Sequence, residues 1–308
     1  MATRQLALTA FSIVALAGCG GGGGGNGTGS LSLALTDAPV DGVDQVVVEF
    51  TGVTLKPQGG TAVDVTFDQP VSVDLKALHS GNTGLLLDGE IVPAGRYEWI
   101  RLAVNAEFDS VLDSYVMEDG GGQVELWVPS GANSGLKLVS GFTVVAGGAS
   151  SFVIDWNLRE GLVQSPGQPG YKLQPALRIT DMQEYGTIEG TVDAALVSDP
   201  TCSSDPNTGE GNAVYVFSGS AIAPDDIDGA APEPLTTAEV RLDDMSGAYS
   251  YRVSFLAPGD YTLAFTCQAA DDRVPDDENP GADVNDAIVF TNGVDATVID
   301  GETTTVDF

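Results

Sequence analysis

Val63-Asp64-Val65-Thr66-Phe67 and Val71-Ser72-Val73-Asp74-Leu75 decide the fold class, because apolar and polar residues alternate strictly through both. Alternation places every second side chain on one face of an extended chain, the pattern of a strand with one buried face. Val124-Glu125-Leu126-Trp127-Val128 repeats the period. Val46-Val47-Val48-Glu49-Phe50-Thr51, Trp99-Ile100-Arg101-Leu102-Ala103-Val104 and Ser151-Phe152-Val153-Ile154-Asp155-Trp156 add β-branched and aromatic runs suited to a pleated surface. Gly, Pro, Asn and Asp clusters separate these segments at spacings of about eight to twelve residues, which predicts an all-β sandwich or barrel. Helix signals are confined to two single turns. One is Asp74-Leu75-Lys76-Ala77-Leu78-His79, with Asp74 as its cap and Gly81 ending it; the other is Asn157-Leu158-Arg159-Glu160.

A chain of 308 residues suits two domains of ordinary size. Leu173-Gln174-Pro175-Ala176-Leu177-Arg178-Ile179 reads as the last strand of one, and Thr187-Ile188-Glu189-Gly190-Thr191-Val192 as the first of the next. The boundary is placed near Glu184-Tyr185-Gly186, giving domains at 31–184 and 185–308 that abut through a short join.

Ahead of them, Arg4 is the only early charge, residues 6–16 are largely apolar, and Leu16-Ala17-Gly18-Cys19 ends the segment. This is the pattern of a lipoprotein signal peptide over 1–18, with Cys19 the lipidated residue. The apolar run is shorter than the roughly 20 residues a spanning helix needs. An ordinary secretory signal with an incidental cysteine, or a short N-terminal anchor, fits the same residues. Gly20 to Gly25 is an unbroken glycine run that continues to Ser30, so residues 19–30 read as lipid anchor and flexible leash. Gly20 rather than Asp follows the cysteine, which favours the outer membrane in bacterial sorting.

The formal charge is −32, from 44 acidic and 12 basic residues. Residues 187–308 hold 24 of those acids against three basic residues. Such a surface repels nucleic acid and anionic lipid and attracts cations. It also fits simple solubility. Apolar residues make up 43% of the chain, so the charge does not imply disorder. With Cys19 lipidated, Cys202 and Cys267 remain; in an oxidising compartment they form a disulfide, or else are two buried thiols.

Candidate sites are few. Asp271, Asp272, Asp276, Asp277, Glu278, Asp283 and Asp286 crowd one stretch between residues 271 and 286. Calcium takes six to eight oxygens from such side chains on a bendable loop. The spacing fails the helix-loop-helix calcium pattern, because Pro280 stands where a ligand is needed and no Glu closes the loop. The stretch is therefore a calcium site or a solvated acidic loop. Asp225-Asp226-Ile227-Asp228 contributes to the same site if the fold brings it near. His79 is the only histidine, so nucleophilic catalysis has one possible base, with no nucleophile motif beside it. Carboxylate pairs for glycoside hydrolysis arise by chance among 44 acids. Asp37-Ala38-Pro39-Val40-Asp41-Gly42 reads as a turn held by side-chain-to-backbone bonds, with a structural role for Asp37. Trp99, Trp127 and Trp156 lie in strands and are expected in the core rather than on a carbohydrate platform.

Several segments, in order, carry a family resemblance. They are Leu35-Thr36-Asp37-Ala38-Pro39-Val40-Asp41, Val73-Asp74-Leu75, Val92-Pro93-Ala94-Gly95-Arg96-Tyr97, Ile100-Arg101-Leu102, Val128-Pro129-Ser130-Gly131, Gly135-Leu136-Lys137-Leu138 and Leu173-Gln174-Pro175-Ala176-Leu177-Arg178. Over residues 31–182 the chain resembles the bacterial lipoprotein family catalogued as domain of unknown function 4382. The resemblance implies a secreted, lipid-anchored β domain and carries no catalytic residues. Gly190-Thr191-Val192, Ala213-Val214-Tyr215-Val216-Phe217, Ala257-Pro258-Gly259-Asp260-Tyr261-Thr262-Leu263 and the closing Gly301–Phe308 resemble the transthyretin-like sandwich of carboxypeptidase regulatory modules. That likeness implies an accessory β domain, Ig-like in outline, with Tyr261 turned to the core and no peptidase chemistry.

The expectation is two consecutive β-sandwich domains in a non-enzymatic lipoprotein, bound to the bilayer by its lipid and acting on an envelope protein or glycan. A calcium-dependent adhesion or assembly module is the alternative, and a carboxylate hydrolase a remote third.

Overall fold

The structure, a computed structural model, describes residues 27–38, 40–129, 136–164, 167–204, 210–243, 245–272, 274 and 287–308. The first sandwich contains β1 (Thr28–Ala38), β2 (Val43–Pro57), β3 (Val63–Asp74), β4 (Gly84–Pro93), β5 (Gly95–Asn105), β6 (Tyr115–Glu118), β7 (Gln123–Trp127), β8 (Leu136–Leu138), β9 (Phe142–Val144), β10 (Ala149–Asn157), β11 (Leu162–Val163), β12 (Tyr171–Leu173) and β13 (Leu177–Asp181). One sheet runs β13-β10-β1-β4. The other runs β11-β12-β7-β6-β2-β5-β8, with β3 also on β2 and β9 also on β5. Between them lies a core that includes Leu31, Leu33, Leu35, Phe50, Leu55, Tyr97, Ile100, Ile154 and Trp156, all fully buried. Burying each such side chain contributes about 1.5–3 kcal/mol.

The second sandwich contains β14 (Gly186–Val192), β15 (Ala213–Ser218), β16 (Thr236–Glu239), β17 (Arg241–Leu242), β18 (Tyr249–Leu256), β19 (Gly259–Thr266), β20 (Val294–Val298) and β21 (Thr303–Thr305). Its sheets are β17-β18-β14-β21 and β16-β15-β19-β20, closed over Ile188, Val214, Val216, Val240, Val253, Leu263 and Phe265. The all-β expectation holds. Among the described residues no helix is long and apolar enough to cross a membrane.

The two sandwiches use one device at matching corners. Pro93-Ala94-Gly95-Arg96-Tyr97 enters β5 and Ala257-Pro258-Gly259-Asp260-Tyr261 enters β19. Tyr97 is buried and its hydroxyl donates to Pro93 O at 2.6 Å; Tyr261 is buried and donates to Ala257 O at 2.8 Å. Each phenol thus staples a turn to the strand that follows it, four residues on. The sequence placed Tyr261 correctly, and the parallel with Tyr97 emerges only from the structure.

One turn differs from expectation. Residues 76–78 form a 3-10 turn whose cap position is Leu75, with no side-chain cap. Asp74 faces β2 instead, accepting from Val46 N and Gln45 Nε2, each at 3.2 Å. Two donors on a neighbouring strand outcompete the exposed amides of a three-residue turn.

Candidate functional site

The polar groups that matter converge where the sandwiches meet. β10 pairs with β1 in parallel and with β13 antiparallel, so it lies inside its sheet. Phe152, Ile154 and Trp156 fill the first core, while Val153, Asp155 and Asn157 on the other face are equally buried. That other face packs on the second sandwich. Ala34 and Val153 touch Phe255, with Met182 and Tyr185 beside them.

Phe255 reaches this contact by a backbone irregularity. Opposite β14, Gly186 pairs with Leu256 but Ile188 with Val253, leaving extra residues at 254–255 on β18. Phe255 sits at φ 57°, which a side chain rarely adopts and which costs of order 1–3 kcal/mol. The bulge turns its ring out of the second core and onto the first sandwich, 5.0 Å from the Tyr185 ring. It also exposes two carbonyls to Arg178. Arg178 donates to Phe255 O at 2.9 Å and Ser254 O at 3.5 Å, and pairs through Nε with Asp155 at 2.6 Å. Asp155 also accepts from Thr236 at 3.4 Å.

A second arginine crosses nearby. α1 (Leu158–Gly161), the short helix expected at 157–160, presents Arg159 almost fully buried. Its guanidinium pairs with Asp41 at 2.7 Å and donates to Ala269 O of the second sandwich at 2.7 Å. Asp41 in turn accepts from Gly211 N at 3.0 Å. Burial pushes the Asp41 carboxyl up, but Arg159 and the Gly211 amide outweigh it and hold the group below its usual range. Burial likewise disfavours the Arg159 charge, and Asp41 more than restores it. Beyond them, buried Tyr215 donates to Asp272 at 2.5 Å, and Ile227 N donates to the other Asp272 oxygen at 3.2 Å.

The turn 37–42 therefore works differently from the sequence expectation. Asp41 makes the side-chain-to-backbone bond, and it reaches the other sandwich. Asp37 lies 6% exposed, and the backbone amide of Leu158 only partly offsets its burial. Burial first, and Asp155 second, raise its pKa well above that of a free Asp. It lines a small cavity of about 20 Å³ with Asp155, Arg178, Thr236 and Ser254. A wider cleft of about 190 Å³ opens along the same junction between Glu160, Pro175, Ala176 and Glu233. There burial, then Glu160 and Asp228, push Glu233 up to about 7.

The remaining predicted residues separate. Cys202 and Cys267 form a disulfide. Asp272 belongs to the buried junction, both oxygens engaged, and Asp271 is exposed. The fold does bring 225–228 beside Asp272. Asp276, Asp277, Glu278, Asp283 and Asp286 lie outside the described residues, as does Cys19. Among the described residues no group of three or more acidic, His or Cys side chains is placed to hold a metal. His79 Nδ1 lies 2.8 Å from Lys76 O, occupied by its own turn. Trp156 and Trp127 are buried. Trp99 is not a core residue: it is half-buried on the outer face of β5, with Arg101 Cζ 5.2 Å and Lys137 Nζ 4.7 Å from its ring centroid. Alternation put Ile100 and Leu102 inward, which forces Trp99 and Arg101 out.

A search of curated proteins returns no match. Among solved structures the chain is similar to a leucine-rich repeat protein from Bacteroides thetaiotaomicron, with 15% identity and a TM-score of 0.21, over 91% of this chain and 26% of that one. It thus spans about a quarter of that protein. It is also similar to GBS52, the minor pilin of Streptococcus agalactiae, with 11% identity, a TM-score of 0.19 and coverage of 91% and 94%. A third is the carbohydrate-binding module CBMbc of Eubacterium rectale Amy13K, solved with maltoheptaose, with 12% identity, a TM-score of 0.21 and coverage of 91% and 92%. Superpositions at these scores carry no inference. The family match is of another kind: residues 28–175 fit a family model that spans the first sandwich from β1 through the segment after β12. The family whose model residues 28–175 match is the one described as domain of unknown function (DUF4382).

Proposed function

We propose that the mature chain is a non-enzymatic, lipid-anchored binding or structural module of the cell envelope, held by Cys19 at the outer membrane. The observation that carries this reading is the junction. Buried Arg159 and half-buried Arg178, both of the first sandwich, bind carbonyls of the second. Buried charges that an enzyme would turn toward a reacting group here join two sandwiches into one body. A body of fixed shape suits display of sheet faces to an envelope protein or glycan.

The anchor is tested by metabolic labelling with a palmitate analogue. The wild type is expected to take up label and sediment with outer membranes, and Cys19→Ser to lose both. An unlabelled wild type would remove the anchor from the account.

A calcium-dependent assembly role is the second reading. It is favoured by the approach of 225–228 to the start of the acidic stretch and by the disulfide that ends at Cys267, just before it. Calorimetry of the mature chain with calcium should then show uptake and a raised Tm; no heat and an unmoved Tm would dismiss it.

A further inference from the structure

The basic residues of this acidic chain are not scattered. Of the 12, Arg4 and Arg273 lie outside the described residues. Arg159 and Arg178 are spent at the junction, and Arg241 and Arg252 pair with Glu239 and Glu189. Lys172 is fully buried and Lys76 donates to Val43 O. Lys56, Arg96, Arg101 and Lys137 also form no ion pair among the described residues, and the Lys56 ammonium donates to Gly60 O of the turn that follows it.

All four sit on β2, β5 and β8. Lys56 stands opposite Trp99, and Lys137 opposite Arg101. Arg101 and Lys137 both lie against the Trp99 ring, whose π face attracts cations and fixes their charged ends side by side. Arg101 Nε is shut off from solvent and has no acceptor among the described residues. Arg96 continues along β5, its guanidinium against Gly141. Arg101 lies five positions beyond Arg96, roughly 16 Å at about 3.3 Å per residue, and the register shift opposite Lys56 and Pro57 keeps both on the outer face. Val139, 73% exposed, continues the face beyond Lys137 on the side of Trp99. Two carboxylates share the neighbourhood: exposed Glu98, and Asp64, which accepts from Thr54 at 2.7 Å.

We propose that this face binds an acidic polysaccharide. The line of cations along β5 matches an extended polyanion better than a single point anion. Trp99 and Val139 supply apolar surface for the C–H faces of sugar rings, and Arg101 forks onto a carboxylate or sulfate. Charge complementarity selects this occupant over an anionic bilayer. A narrow polymer meets only the basic strip, whereas a membrane plane meets the field of a molecule of net charge −32. Trp99, half-buried under two cations, is also not free to insert between lipids.

The proposal rests on the binding role above and narrows it to a ligand class. The test is affinity electrophoresis and calorimetry of the full mature chain with sodium polygalacturonate and dextran sulfate. Neutral dextran and phosphatidylglycerol vesicles serve as the other arms. The expected result is binding to at least one acidic polymer, weakened by salt and unmatched by dextran. Arg101→Gln/Lys137→Gln should lose at least tenfold in affinity and Trp99→Leu several-fold. Lys137→Gln, at an exposed position that leaves the core untouched, should lose affinity with an unchanged Tm. The proposal is overturned by no binding to either acidic polymer, by undiminished binding of the charge variants, or by binding to the vesicles alone. Capture of neutral dextran or of an envelope protein without acidic polymer would overturn it too, while leaving the broader binding role standing.

Discussion

Arg178 donates to the carbonyl oxygen of Phe255 at 2.9 Å across 77 positions of chain, and the bond exists because Phe255 has left the regular path of its strand. A straight β18 would spend that carbonyl on β14 and bury the ring in the second core. The bulge gives the first sandwich both a hydrogen-bond acceptor and an apolar plug. Removing the arginine leaves buried Asp155 without its counter-charge. Arg178→Met should therefore cost about 3–5 kcal/mol, read as a lower urea midpoint at unchanged slope. A loss under about 1 kcal/mol would refute the role given to this contact.

Arg159 and Asp41 make a cleaner case, since Arg159 is buried, Asp41 is largely so, and the two are paired. Arg159→Met should again cost about 3–5 kcal/mol, because a carboxylate is left unpaired in the interior. Arg159→Met/Asp41→Leu should recover much of that loss, as apolar replacement of a whole buried pair often does. If the double variant were as unstable as the sum of the singles, the pair would not be acting as one unit.

Glu233 gives the junction a pH dependence with a definite sign. Folded, it holds its proton up to about pH 7; in an unfolded chain it releases it near 4.3. The folded state therefore binds more protons across that window, and stability falls as pH rises from about 4.5 to about 7. Asp37 acts in the same direction. Glu233→Gln should raise Tm by a few degrees at pH 8 and change it little at pH 4.5. Equal shifts at both values would show that the carboxylate charge is not the cause.

The disulfide spans 65 positions. On chain entropy a loop of that size is worth about 4 kcal/mol. Cys202→Ser/Cys267→Ser should lose about that much, and reduction of the wild type should reproduce the loss. Equal stability of the oxidised and reduced forms would assign the crosslink no part in stability.

The two tyrosine corners should respond alike. Tyr97→Phe and Tyr261→Phe each remove one hydroxyl from a buried turn and should each cost about 1 kcal/mol. The double variant should lose the sum, since the corners sit in separate cores. Strong non-additivity in urea unfolding would show coupling that the structure does not predict.

Period-two runs such as 63–67 and 124–128 were enough to read the all-β class, because alternation is a local signal. Cys202 and Cys267 could be paired by elimination. The junction was illegible. Ser151–Trp156 reads as a strand whichever neighbour covers its second face, and nothing in Asp41 or Arg159 announces a partner far along the chain. Asp37 misled for the same reason: a turn motif gives the local bonds a side chain is able to make, not which of them burial removes. Trp99 was misassigned because a tryptophan in a strand is usually core. Ile100 and Leu102 hold the inward positions, and a register shift opposite Lys56 and Pro57 breaks the alternation, so that Tyr97 turns inward while Trp99 faces out.

Differential scanning calorimetry of the mature chain tests the joined-body account most directly. The two junction arginines predict one cooperative transition for the wild type, and two separated transitions for Arg159→Met/Arg178→Met as each sandwich melts alone. Two independent transitions in the wild type, unmoved by the double substitution, would contradict it.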